Sequence, residues 1–161
     1  MKLASSLTLS TAETIVDAVL DIGRREQMKP LTVVVLDSGG RMVCMKMSDG
    51  CGLLRFDIAL GKAYGALGMG FSSRTIRDYL SARPTFQTAI SAAADGRFIP
   101  VPGGVLIEDD AGMVIGAVGV SGDASDRDEY CAIHAIRAAG LTSDPAEESP
   151  DWRAASLSDK H

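Results

Sequence analysis

Apolar positions along this chain recur at two periods. Between Thr11 and Gln27, Ile15, Val16, Val19 and Ile22 fall at helical intervals, so the spacing predicts an amphipathic helix ending near Gln27. Ser10 and Glu13 match the S-x-x-E capping box, in which a hydroxyl and a carboxylate each accept from an orphan backbone N–H. Pro30 prevents continuation. LTVVVLD, Leu31 to Asp37, is short and rich in β-branched residues, the pattern of a buried strand. Ser38-Gly39-Gly40 reads as a hairpin turn, and RMVCMKM, Arg41 to Met47, returns as a second strand.

A long helix follows from about Leu53 to Met69, with Phe56, Ala59, Leu60, Ala63 and Leu67 along one side. It is lean in side chains. Glycine costs about 1 kcal/mol in a helix interior, so Gly61, Gly65 and Gly68 predict close approach to a sheet, a ligand or a second subunit. Ser72 or Ser73 can cap a short helix to Leu80, and Thr85 to Ala94 reads as another. Three strands are then expected, at Arg97–Val101, Gly104–Glu108 and Met113–Val120, with Asp109-Asp110-Ala111-Gly112 turning the last pair. Ser125 or Asp126 can cap a final helix that Gly140 ends. Hairpin-joined strands and flanking helices predict an α+β domain, Leu7 to Gly140, built on a five-stranded antiparallel sheet.

Charge divides the chain unevenly. Of the net −5, a −3 share falls in residues 141–161, where Asp144, Glu147, Glu148, Asp151 and Asp159 face only Arg153 and Lys160. This stretch reads as an acidic, flexible tail with Trp152 as its one large apolar anchor. The acidic balance argues against nucleic acid as a partner. No apolar run approaches the roughly 20 residues of a membrane span, and the N-terminus lacks a secretory h-region. Cys44, Cys51 and Cys131 make an odd count without C-x-x-C spacing, which favours neither disulfides nor structural zinc. A reducing cytoplasm is the expected location.

The candidate chemistry gathers near two helices. Lys62 lies among small residues, with Arg55 two turns earlier on roughly the same face; either can hold a carboxylate or simply face solvent. The last helix opens with Asp126, Arg127, Asp128 and Glu129, followed by Cys131 and His134. Asp128, Cys131 and His134 fall at i, i+3 and i+6, a spacing that suits an acid–base set or weak metal ligands. The structural alternative is that the acids complement the helix dipole while Cys131 and His134 pack. Met42, Met45 and Met47 alternate as core filler does. Gly103 and Gly104 open one strand, while Ser121 and Gly122 lead into a helix N-terminus, a natural anion site. None of these glycines forms a P-loop or dinucleotide fingerprint.

Taken together, VVLDSGGRMV (34–43), Asp49, GKAYGALG (61–68), RFIPVPGGV (97–105), IGAVGVSG (115–122) and Asp128 resemble the GlcG/HbpS family. That haem-binding-protein group also includes the C-terminal domain of PduO-type corrinoid adenosyltransferases. The resemblance covers about Leu7 to Gly140. It implies an antiparallel sheet flanked by helices in profilin-like layers, a homo-oligomer, and a pocket near the lysine helix and glycine-rich strand. By position it carries Asp37, Lys62, Gly103, Gly104, Ser121 and Asp128 into that pocket; Arg55, Gly122 and Glu129 join them as ligand-binding candidates from the residue pattern. Haem-binding members place a histidine in the first helix, and residues 11–27 contain none. Haem would thus need another axial ligand (His134, Cys131 or a methionine) or none from the protein.

Two function classes follow. The first is a binding protein for a small organic anion or a tetrapyrrole such as haem or a corrinoid, accessory to a catabolic pathway. The second is a cofactor-independent isomerase, tautomerase or lyase acting on a small carboxylate, with Lys62 holding the anion and Asp128 moving a proton.

Overall fold

A computed structural model describes residues 3–157. The elements run α1 (Leu9–Arg25), β1 (Thr32–Asp37), β2 (Met42–Met47), α2 (Arg55–Met69), α3 (Ser73–Leu80), α4 (Pro84–Ala93), β3 (Gly104–Glu108), β4 (Val114–Ser121), α5 (Ser125–Ala138) and β5 (Thr142–Asp144). The five strands form one antiparallel sheet in the order β2-β1-β4-β3-β5. The expected α+β class and five-stranded antiparallel sheet are therefore present.

Strand alternation sorts the core into two layers. Val33 and Val35 of β1, Val105 and Ile107 of β3, and Val118 and Val120 of β4 face α1 and α5, where Ile15, Val16, Val19, Ile22, Ile133 and Ile136 bury against them. On the opposite face, Val34, Leu36, Leu106 and Ala117 meet Ala59, Ala63 and Ala66 of α2. The β1–β4 register sets Thr32 opposite Ser121 and Asp37 opposite Gly116. That alternation also puts Thr32 and Ser121 on the α2 side.

Several local expectations are corrected. Thr8 caps α1, its hydroxyl accepting from Thr11 N at 3.2 Å; Ser10 lies inside the first turn and Glu13 closes no capping box. Ser72 does cap α3. Neither Ser125 nor Asp126 caps α5; instead the Asp128 carboxylate reaches back to Asp123 N at 3.0 Å. Arg97–Val101 is not a strand. Pro100 and Pro102 lack donors for a ladder, Ile99 N donates to Gly61 O, and Phe98 covers α2. Its apolar pattern reflects packing on a helix.

The fifth strand comes from beyond Gly140. Thr142–Asp144 pairs with β3, Leu106 opposite Asp144. Trp152 is buried and stacks on Tyr130 of α5, ring centroids 3.6 Å apart. Arg74 Nη2 donates to Glu147 O, and Arg137 pairs with the Glu147 carboxylate at 3.0 Å. Through residue 157, the segment read as a flexible tail thus supplies a strand and a set of anchors. No helix among the described residues is long and apolar enough to cross a membrane.

Candidate functional site

Lys62 and Asp128 converge from opposite layers. α2 presents Lys62 toward the start of β3, and the loop after β4 turns α5 so that Asp128 reaches the same point from the other side. Lys62 Nζ lies 3.0 Å from Asp128 Oδ2 and also donates to Val120 O at 2.9 Å; Asp128 Oδ1 accepts from Asp123 N at 3.0 Å. The two side chains are only 2% and 1% exposed. Burial raises the Asp128 carboxyl, with the Lys62 ammonium pulling back, to about 6.

The glycines around the pair bring chain segments together and leave no room for a ligand. Gly103 has φ +116°, and a Cβ there would stand 2.8 Å from both Lys62 Nζ and Val120 O. A Cβ on Gly104 would collide with the Lys62 carbonyl, and one on Gly122 with the Pro30 carbonyl. Gly103, Gly104 and Gly122 thus allow helix, loop and sheet to touch. Lys62 and Asp128 form a closed knot rather than the walls of a cavity.

Two further charged groups flank it. Arg55, at the first turn of α2, is half-buried and donates from Nη1 to Ser121 Oγ at 3.3 Å. It helps lower the Asp128 carboxyl yet forms no ion pair with a carboxylate among the described residues. Glu129 is wholly buried on α5; Arg74 Nε is 3.4 Å from its Oε1, but neither carboxylate oxygen has a hydrogen-bond partner. Burial pushes its carboxyl up to about 7, with Arg74 opposing.

The remaining candidates lie elsewhere. Asp37 is at the other end of β1, where its carboxylate accepts from Gly39 N, Arg41 N and Arg41 Nε and so locks the β1–β2 turn. These bonds hold its carboxyl below the usual range despite desolvation. Cys131 is buried in the α1–α5 layer with Sγ 3.4 Å from Met28 Sδ, and burial raises its thiol strongly. His134 Nε2 faces Glu148 Oε2 at 3.2 Å. No group of three or more His, Cys, Asp or Glu able to hold a metal occurs among the described residues. Haem iron asks for an accessible His, Cys, Met or Tyr donor; His134 Nε2 is buried facing Glu148 and Cys131 is buried in the core. Neither His134 nor Cys131 is therefore presented as an open donor to iron; among the described residues the half-exposed thiols are Cys44 and Cys51.

Sequence reading missed Thr32. Its Oγ1 is fully buried with no hydrogen-bond partner, directly across from Ser121. A threonine in a β-branched run carries no signal of this. The role of Arg74 beside Glu129 was equally hidden, because the two are far apart in sequence and only the fold brings them together.

The model of the family described as haem degrading protein HbpS-like matches residues 7–137. A relative from Citrobacter freundii, the uncharacterized 15.0 kDa protein in the dhaT-dhaS intergenic region, is 30% identical over 132 residues, which cover 82% of this chain and 91% of the relative. Among solved structures, the PduOC:heme complex superposes with a TM-score of 0.77 at 20% identity, covering 88% of this chain and 99% of that one. Klebsiella pneumoniae protein ORFY gives 0.77 at 24% identity, with 87% and 94% covered. A double mutant of Streptomyces reticuli HbpS gives 0.67 at 22% identity, with 86% and 88% covered. These three share the fold. On the family match across most of its length, supported by the Citrobacter relative, the chain belongs to the HbpS-like family.

Proposed function

We propose that this protein binds a small organic molecule carrying negative charge and does not transform it at Lys62 and Asp128. The observation that carries this reading is the enclosure of that pair: Lys62 donates to Val120 O and Asp128 Oδ2, Asp128 Oδ1 accepts from Asp123 N, all at 3.0 Å or less, and both side chains are closed to solvent. An acid–base pair must reach its substrate directly or through one water, and this one reaches only itself. Family membership and the haem complex of PduOC support a tetrapyrrole as one class of ligand. Here a tetrapyrrole would be held through its propionates and apolar faces, without histidine on iron. A free organic acid is the other class.

The enzymatic alternative, a cofactor-independent isomerase, tautomerase or lyase, would have to use Glu129, which is as closed to solvent as Lys62 and Asp128 and is therefore the weaker reading. A buried carboxyl raised to about 7 without hydrogen bonds is able to exchange a proton near neutrality.

The proposal includes a homo-oligomer. α4 has no buried residue and no charged side chain, and Phe86 on it is half exposed. A ten-residue helix is marginal alone in water, so a second copy of the chain is the partner we assign to it.

Native mass spectrometry of the full-length protein, before and after addition of metal-free mesoporphyrin or of benzoate, tests the reading. A noncovalent adduct of unchanged ligand mass is expected. Conversion of the added compound into another, read from its NMR spectrum because isomerisation leaves the mass unchanged, would establish the enzymatic alternative, and no adduct and no conversion would refute both.

A further inference from the structure

We propose that the N-terminal end of α2 is a carboxylate-binding subsite made by Arg55, Ser121 and Thr32. This rests on the small-molecule reading above and names where the ligand's charge is held.

Three independent features meet there. Arg55 is a half-buried guanidinium whose described partner is a neutral hydroxyl, Ser121 Oγ at 3.3 Å, in a structure where Lys62 and Arg74 each face a carboxylate. Guanidinium groups present paired donors that match a carboxylate in bidentate geometry. The second feature is Thr32. Its hydroxyl is fully buried and unpartnered, a net cost to the fold that a hydrogen-bonding ligand would relieve. Thr32 and Ser121 are cross-strand partners on the same face, and such side chains stand about 5 Å apart. The Arg55–Ser121 bond shows that this face meets the start of α2. Third, α2 begins without a side-chain cap; Arg55 N donates to Gly52 O, and the N–H groups of Phe56 and Asp57 in the same turn are left to an acceptor.

Arg55 is the solvent-facing member of the three, while Thr32 and Ser121 are fully buried; a carboxylate that draws the guanidinium off Ser121 would neutralise the cation and, by entering behind it, satisfy the orphan. The surroundings suit an organic body attached to that charge. Met47 is cross-strand to Thr32, and Leu53 and Leu54 precede Arg55; all three are exposed apolar side chains. The shared ligand chemistry is a carboxylate beside an apolar group, supplied either by a tetrapyrrole propionate or by a free organic acid.

The test titrates full-length protein with metal-free mesoporphyrin, its dimethyl ester and benzoate, using wild type, Arg55→Met and Thr32→Val. Expected is an affinity loss of at least tenfold in Arg55→Met for whichever carboxylate the wild type binds. Thr32→Val should weaken binding several-fold while raising the melting temperature of the ligand-free protein, since it removes the orphan hydroxyl. Binding of mesoporphyrin but not its ester assigns the charge to propionate; binding of benzoate alone assigns it to a free acid. Unchanged affinity in both variants would overturn this subsite and leave small-molecule binding standing. No binding of either carboxylate by wild type would overturn both. Thr32→Val, nearly isosteric, decides the matter where Arg55→Met fails to fold.

Discussion

Lys62 and Asp128 meet at 3.0 Å although they come from helices on opposite faces of the sheet. Breaking a buried pair strands one charge in a low-dielectric interior, at a cost of about 3–5 kcal/mol. Lys62→Met should lower stability by that amount in urea unfolding, and so should Asp128→Asn, whose single amide oxygen cannot accept from both Lys62 and Asp123 N and leaves the ammonium unneutralised. The double variant Lys62→Met/Asp128→Leu should recover part of the loss. A single Lys62→Met variant within about 1 kcal/mol of wild type would show that the pair contributes little.

Glu129 predicts the pH dependence. Its folded carboxyl titrates near 7 against an ordinary value of 4.5, so the folded state binds the proton more tightly than the unfolded chain. Stability from this group is therefore greatest below pH 4.5 and falls as pH rises toward 7. Asp128, raised to about 6, acts in the same direction from pH 3.8 upward. Asp37 and Glu148 are held low and oppose this only in stronger acid. Melting scans should show higher stability near pH 5 than near pH 8, by roughly 2 kcal/mol. Glu129→Gln should flatten most of that slope. A slope identical to wild type would place the titration elsewhere.

Trp152 tests whether the C-terminal segment belongs to the folded unit. It is buried on Tyr130, and Arg153 lies over its outer face, 4.3 Å from the ring centroid. Trp152→Ala should cost about 2–3 kcal/mol. Limited proteolysis should then cut beyond Gly140 faster than in wild type. Equal protection in both proteins would mean that the tryptophan does not anchor the segment.

The α4 surface predicts self-association. Light scattering of wild type at micromolar concentration should give a mass of at least two chains, and Phe86→Glu should shift it toward one. A wild-type monomer would remove the assignment of α4 to a second copy.

The helices and strands that bury a regular stripe were legible before any coordinates. Ile15, Val16, Val19 and Ile22 all face the core, and the DSGG hairpin turns as its residues require. Arg97–Val101 misled because an apolar pattern records burial without naming the surface that does the burying. Thr142–Asp144 was missed because three residues at a sheet edge carry no periodicity, and their pairing depends on a distant strand. In the site, Lys62 and Asp128 stood out as charged groups on two helices, and the fold brings them together. The closure of the pair was not legible, since whether two charges flank a cavity or fill one depends on the backbone approach that Gly103 and Gly104 permit. Arg55 was visible as a cation, while Thr32 became notable only once its hydroxyl proved to be alone.

The way Lys62 crosses beside Gly103 has a consequence for how the molecule opens. α2 cannot lift from its face of the sheet without abandoning Asp128 on α5, and α5 cannot leave without abandoning Lys62 on α2. Partial opening of either layer therefore strands a buried charge in the other. Amide hydrogens in the middle of α2 and in the first half of α5 should exchange at one common rate, as a single cooperative unit, while α4 exchanges independently and sooner.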